Sequence, residues 1–159
     1  MVEPGSREDL PGVYALLQAH GLPLDGVADH VPTMLVAHVS AGRISGSTDA
    51  SDAFRRVVGV AALELYPDGA LLRSVAVDHA LQGHGLGQRL TEAALQLAAT
   101  HSVTDVFLLT TTAERFFPRF GFEPIARDLV PPAVRTSVEF TSACPASAVV
   151  MRRRLAHRA

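Results

Sequence analysis

The sequence predicts an α/β fold: a mixed, mostly antiparallel central sheet that is flanked by helices. Two β-rich runs, residues 33–39 and 57–65, are expected to pair as an antiparallel hairpin. An extended segment at residues 71–77 precedes a glycine-rich stretch and an amphipathic helix at 86–99, and a short apolar strand at 106–109 follows. That order predicts a parallel β-α-β crossover. With 159 residues, the chain is expected to form a single domain over residues 1–159.

The segments before the hairpin predict helices. After a very short opening strand, residues 8–20 place four apolar side chains on one helical face, with Ser6 as a cap and Gly21 as a stop. Residues 24–30 predict a second, short helix. Residues 40–52 consist mainly of small and polar residues, so we expect a mobile hairpin tip there.

The segments after the hairpin predict the rest of the sheet. A turn at Pro67, Asp68 and Gly69 leads into the central strand, 71–77. Beyond the crossover, residues 114–120 predict a short helix and residues 148–155 a final strand.

Composition and charge exclude several classes of protein. A net charge of −2 implies no broad basic surface, so a nucleic-acid partner is not expected. No apolar run approaches the length of a membrane span, and the first residues lack the pattern of a signal peptide. A single cysteine excludes an internal disulfide and is typical of the cytoplasm, where we expect this protein. A homodimer is left open.

The most informative motif is the run Gln82, Gly83, His84, Gly85, Leu86 and Gly87, which lies between the central strand and the following helix. Alternating glycines let the backbone approach a ligand, and the helix N-terminus favours an anion, so the run predicts a pyrophosphate cradle. The residues lack both the Gly-Lys-Ser/Thr ending of a Walker loop and the spacing of a dinucleotide fingerprint. The alternative is a glycine-rich turn that caps the helix.

The run Gln-x-x-Gly-x-Gly, formed by Gln82, Gly85 and Gly87, resembles the coenzyme loop of the GCN5-related N-acetyltransferases (GNAT). A later Gly121-Phe122 pair after Phe116-Phe117 is a second mark of that family. The resemblance implies the GNAT fold, with a splayed parallel strand pair, and acetyl-CoA as co-substrate. It assigns coenzyme binding to Gln82, Gly83, His84, Gly85, Leu86 and Gly87, and to the backbone of Val75, Ala76 and Val77.

A set of further segments is similar to the arsenic-resistance branch of these acetyltransferases: residues 71–77 and 108–113, Thr136 with Glu139-Phe140, and 144–147. The likeness implies a small-molecule amine acceptor, namely an amino acid or a glutamate analogue such as arsinothricin or phosphinothricin. Two alternatives stay open. One is a different small-amine or glutamate N-acetyltransferase. The other is a non-catalytic acetyl-CoA sensor, which is favoured by Phe117 at the position of the family's proton-donating tyrosine.

Three charged side chains are candidates for the chemistry. Glu64, near the end of its strand and beside the expected cleft, is the candidate base, with Glu139 as a rival and a solvated strand-end carboxylate as the alternative. Arg73 in the apolar central strand is expected to bind an anionic group of the acceptor, or else to pair internally with Glu64 or Glu139. Arg135 is expected to hold a second anion.

No metal is expected, because the histidines near the glycine loop, His79 and His84, match no standard ligand spacing and the single Cys144 is distant in sequence. Cys144 could be imagined as an acyl-carrying nucleophile, but the sequence offers it no compelling partner. A small buried hydrophobic role is the expected one.

Overall fold

The computed structural model describes residues 2–41 and 54–155, and these build one seven-stranded sheet in the order β1-β2-β3-β4-β5-β7-β6. The strands are β1 (Val2–Pro4), β2 (Met34–Ala41), β3 (Phe54–Tyr66), β4 (Gly69–Val77), β5 (Asp105–Thr110), β6 (Glu123–Pro124) and β7 (Val149–Arg154). The helices are α1 (Leu10–Ala19) and α2 (Leu86–Thr100), with short 3-10 and π turns between elements. A mixed sheet flanked by helices is therefore confirmed.

The strand directions match the predicted pattern. Every neighbouring pair is antiparallel except β4 and β5, which run parallel. Their pairing covers only Ala70 with Val106 and Leu71 with Phe107. Because β4 continues to Val77 and β5 to Thr110, the two strands separate towards their carboxyl ends.

Helices cover both faces of the sheet. On one face, α2 packs Leu90, Ala94 and Ala98 against Ala61 and Leu63 of β3. On the other face, α1 buries Val13 and Leu17 against alternate residues of β2 and β3: Val36, Val60 and Ala62. The period-2 alternation of β3 thus divides its side chains between two separate apolar clusters.

A third apolar cluster lies around the parallel pair. It joins Leu71 and Phe107 to Val130 and Val134, which belong to the long connection between β6 and β7. That connection contains 3-10 turns at Arg127–Leu129 and Val134–Thr136 and a π turn at Glu139–Ala143.

Several predicted boundaries differ from the structure. The helix expected at 8–20 is a 3-10 turn, Arg7–Asp9, followed by α1, which begins next to Pro11. The helix expected at 24–30 is a 3-10 segment at Val27–Thr33. The helix expected at 114–120 is the four-residue 3-10 turn Phe117–Phe120, since Pro118 stands inside it and Gly121 ends it with a φ of 86°. Residues 42–52, which are most of the predicted mobile tip, lie outside the described residues.

Candidate active site

A cleft opens where β4 and β5 separate. Beyond Leu71, no strand among the described residues pairs with β4 on its β5 side, so this edge of β4, from Ser74 to Val77, lines the cleft. The cleft has a volume of about 760 Å³. Its walls come from β4, the glycine loop, the start of α2, the end of β5 and the turn that contains Phe116 and Phe117.

β4 carries a bulge at the cleft. Val60 pairs with Ala76 and Ala62 pairs with Arg73, so Ser74 and Val75 together face one residue of β3. Ser74 has a φ of 58°, a left-handed conformation that is rare for a serine. Its hydroxyl accepts a hydrogen bond from Nε of Arg73 at 3.0 Å. This hydrogen bond therefore holds the bulged residue against the side chain of Arg73.

The glycine loop has the geometry of an anion site. Gly83 and Gly85 have φ values of 85° and 82°, and Gly85 is the residue before the first turn of α2. A Cβ on either residue would meet nothing within 4 Å, so their requirement for glycine is conformational. Nε2 of Gln82 donates to the carbonyl of Val77 at 3.2 Å, which ties the loop to the end of β4.

The predicted coenzyme residues lie together. All of them except His84 line the cleft: Val75, Ala76, Val77, Gln82, Gly83, Gly85, Leu86 and Gly87. His84 is exposed on the outside of the loop. Phe117, at the position of the family's tyrosine, is buried in the wall of the same cleft.

Sequence reasoning missed further residues of the cleft. They include Ser74 of β4 and residues from elements distant in sequence: His20, Leu22, Thr110, Thr112 and Arg119. His20 follows α1, its ring stacks on His79 at 4.2 Å, and its Nε2 is buried without a partner among the described residues. No local pattern marks His20, Leu22 or Arg119, because only tertiary packing brings them to the cleft.

Arg73, which precedes the bulge of β4, forms a buried ion pair with Glu64. Nη1 of Arg73 lies 2.8 Å from Oε2 of Glu64, and both side chains are almost completely buried. Nε of Arg73 lies 3.2 Å from Oε1 of Glu139, which the π turn supplies. Nη2 of Arg73 is buried and has no partner among the described residues. The internal pairing considered for Arg73 is thus present, with both candidate carboxylates at once.

The same cluster sets the protonation states of its members. Burial alone would raise the pKa of Glu64, but hydrogen bonds from Ser137, Tyr66 and Arg73 outweigh it and hold that pKa below its usual value. Burial and the bond to Glu64 raise the pKa of Tyr66 to about 12. A carboxylate held ionised in this way is a weak proton acceptor.

Cys144 belongs to this cluster as a hydrogen-bond donor. Its Sγ lies 2.6 Å from Oε2 of Glu139. Burial and that neighbouring carboxylate raise the pKa of the thiol to about 12. The side chain therefore stays protonated at neutral pH and is a poor nucleophile. Its polar contact also differs from the purely apolar role expected for it.

The structure separates the predicted acceptor residues from the cleft. Neither Glu64, Arg73 nor Arg135 lines it, and Arg135 is exposed on its 3-10 turn. Glu64 is not the solvated carboxylate considered as an alternative, because it is buried and the guanidinium of Arg73 compensates its charge. The base role of Glu64 and the acceptor roles of both arginines remain predictions.

Arg73 is covered from above by two segments. A Cβ on Gly26 would lie 3.2 Å from Nη1 of Arg73 and 3.1 Å from Cγ1 of Val138. The loop after α1 and the connection before β7 therefore meet over the ion pair.

Within residues 2–41 and 54–155 there is no cluster of three metal-ligating side chains and no helix long and apolar enough to cross a bilayer.

Comparisons with known proteins agree with this geometry. The sequence model of the acetyltransferase (GNAT) domain matches residues 48–124. An amino-acid acetyltransferase of Mycobacterium tuberculosis is 43% identical over 75 residues, which are 46% of this chain and 42% of that protein. The chain therefore matches less than half the length of this curated relative.

Solved structures extend the likeness to the whole chain. Rv2747 of Mycobacterium tuberculosis, in complex with CoA and NLQ, has a TM-score of 0.76 and 25% identity, with 98% of this chain and 99% of that chain covered. N-acetylglutamate synthase of Neisseria gonorrhoeae, complexed with coenzyme A and N-acetyl-glutamate, has a TM-score of 0.75 and 22% identity, with 99% of this chain but 35% of that chain covered. The chain thus has the GNAT fold, and its residues 48–124 match the sequence model of the GNAT domain.

Proposed function

We propose that this chain is an acetyl-CoA-dependent N-acetyltransferase whose acceptor is the α-amine of a small acidic amino acid or a glutamate analogue. The observation that carries the proposal is the cleft between β4 and β5, which combines an unpaired strand edge with a glycine loop at the N-terminus of α2. The strand edge can bond the amides of the pantetheine arm. The loop can hold the pyrophosphate.

The reaction needs little acid catalysis. A neutral amine attacks the thioester carbonyl, the carbon–sulfur bond breaks, and the amine loses a proton to give an amide and the free thiol of CoA. A thiol with an ordinary pKa of about 8.5 leaves as a thiolate without a dedicated donor. Phe117, which has no hydroxyl, is therefore compatible with turnover.

Two observations support an acidic amino acid as the acceptor. The relatives include an amino-acid acetyltransferase and an N-acetylglutamate synthase. The buried Nη2 of Arg73 also lacks a partner among the described residues, so it can take an anionic group if the loops above it open. Likeness to the arsenic-resistance branch adds arsinothricin and phosphinothricin to the acceptors proposed.

The single cysteine supports a cytoplasmic location.

The test is release of CoA thiol from acetyl-CoA over a panel of acceptors. The panel contains glutamate, aspartate, glutamine, arsinothricin, phosphinothricin, a polyamine and an aminoglycoside. Turnover of an acidic amino acid or of a glutamate analogue, at higher kcat/KM than the last two, is the expected result. A preference for polyamines or aminoglycosides would contradict the proposed acceptor.

A non-catalytic acetyl-CoA sensor is the second candidate. Phe117 in place of a proton donor and the burial of Glu64 away from the cleft both favour it. Tight binding of acetyl-CoA in calorimetry, together with no thiol release for any acceptor of the panel, would establish the sensor.

A further inference from the structure

The cleft contains a fixed positive charge that the glycine loop does not supply. Among the described residues that line it, Arg119 alone is permanently charged, and no carboxylate lines the cleft. No acidic side chain in residues 2–41 or 54–155 forms an ion pair with Arg119. A cation without a protein counter-charge in a cleft favours an anionic ligand beside it.

Arg119 stands at the end of the cleft next to α2. The position of a Cβ on Gly87 lies 3.5 Å from Cζ of Phe116, so the Phe116 ring abuts the first turn of α2. The guanidinium carbon of Arg119 lies 4.8 Å from the centroid of the same ring. One aromatic ring thus bridges Arg119 to the anion site at the helix N-terminus.

The orientation of Arg119 is already set in the structure. Its Nε donates to the carbonyl of Phe116 at 3.0 Å, and its planar group lies over the ring. These contacts leave the two terminal amino groups of the guanidinium to bind a ligand. A guanidinium presented in this way can bond a phosphate through two N–H groups at once.

We infer that Arg119 is a specificity-determining residue that binds a phosphate of the coenzyme. The inference rests on the proposed function and adds to it a residue and a ligand group. Acetyl-CoA has phosphate in two places, the pyrophosphate and the 3′-phosphate of the ribose. Both have the chemistry that Arg119 recognises, and dephospho-CoA, which lacks only the 3′-phosphate, separates them.

The experiment measures dissociation constants by calorimetry for CoA and 3′-dephospho-CoA. The proteins are the wild type, Arg119→Ala, Arg119→Lys and Arg115→Ala. Arg115 is the matched control, because it is an exposed arginine four residues away that does not line the cleft. Thermal unfolding of each variant checks that its fold is intact.

We expect Arg119→Ala to weaken CoA binding about tenfold, the scale of one charge-assisted contact, with Arg115→Ala close to the wild type. Lysine should recover part of the loss, because it keeps the charge but not the planar fork. An Arg119→Ala effect that disappears with dephospho-CoA assigns the contact to the 3′-phosphate, and one that persists assigns it to the pyrophosphate.

Equal CoA affinity of Arg119→Ala and Arg115→Ala would overturn the inference and leave the proposed function standing. Failure of the wild type to bind CoA would instead overturn the proposed function. The two failures are therefore distinguishable in the same set of titrations.

Discussion

Arg73 is the residue on which two carboxylates depend. Glu64 and Glu139 both contact its guanidinium, and all three side chains are buried. Removing the arginine takes away the guanidinium that pairs with two buried carboxylates, and breaking a buried ion pair costs about 3–5 kcal/mol. We expect Arg73→Ala to lose stability on this scale in urea denaturation at neutral pH.

A control variant separates charge from packing. Arg73→Met combined with Glu64→Gln and Glu139→Gln removes the positive charge and both negative charges, so it should recover much of the stability lost in Arg73→Ala. A single Arg73→Ala protein as stable as the wild type would contradict the ion-pair account. A folded Arg73→Ala with normal CoA affinity but a raised KM for the acceptor would support the acceptor role of Arg73.

Glu64 can be tested through the pH dependence of turnover. A base is needed most at low pH, where more of the acceptor amine is protonated, so loss of a base would lower kcat/KM most there. Because Glu64 is buried in an ion pair away from the cleft, we expect Glu64→Gln to reduce kcat/KM by a similar factor at every pH. A loss concentrated at low pH would assign the base role to Glu64 after all.

At the scale of elements, the glycine loop and α2 form one unit for binding an anion. Gly85 has a φ of 82° and stands at the N-terminus of α2, with open space around it. Asparagine and aspartate have similar size, tolerate this conformation and serve well as caps. Only aspartate brings a negative charge towards the pyrophosphate.

Gly85→Asp should therefore weaken acetyl-CoA binding far more than Gly85→Asn does. On electrostatic grounds we expect a difference of at least about tenfold in the dissociation constant, measured by calorimetry at low salt. Similar affinities for the two variants would show that the loop does not hold the phosphates.

Local patterns predicted the elements, whereas the candidate site depends on contacts distant in sequence. Alternation in β3 and the spacing of apolar residues in α2 are visible in short windows, so both were predicted to within a few residues, apart from the longer N-terminal end of β3. The burial of Glu64 could not be predicted from a short window, because its carboxylate is compensated by Arg73 on the next strand and by Ser137 far along the chain. Arg119 was missed because only tertiary packing places it beside α2.

At the scale of the whole molecule, buried or hydrogen-bonded carboxylates make the stability of the fold depend on pH. His38 on β2 lies 2.7 Å from Oε1 of Glu3 through Nδ1 and 2.7 Å from Oδ1 of Asp9 through Nε2. The imidazole thus ties the first strand and the turn before α1 to the sheet. The imidazole can donate a hydrogen bond to both carboxylate oxygens only when both of its nitrogens carry a proton.

The carboxylates of this group have depressed pKa values. The hydrogen bond from His38 lowers the pKa of Glu3 below its ordinary 4.5. For Asp9, burial alone would raise the pKa, but bonds from His38 and Ser6 hold it below 3.8. The pKa of Glu64 is likewise lowered. An acidic group whose pKa is lower in the folded state stabilises the fold at pH values above its pKa in the unfolded state. That contribution is lost as the pH falls through its pKa in the folded state.

We therefore expect the free energy of unfolding to decline as the pH falls below about 5, because Glu3, Asp9 and Glu64 then take up protons less readily in the folded state than in the unfolded state. Urea denaturation at several pH values measures this decline. Glu3→Gln with Asp9→Asn should flatten the curve, since neither replacement ionises, whereas a change at the exposed Glu92 should not. An unfolding midpoint that stays constant below pH 5 would show that these contacts contribute no stability.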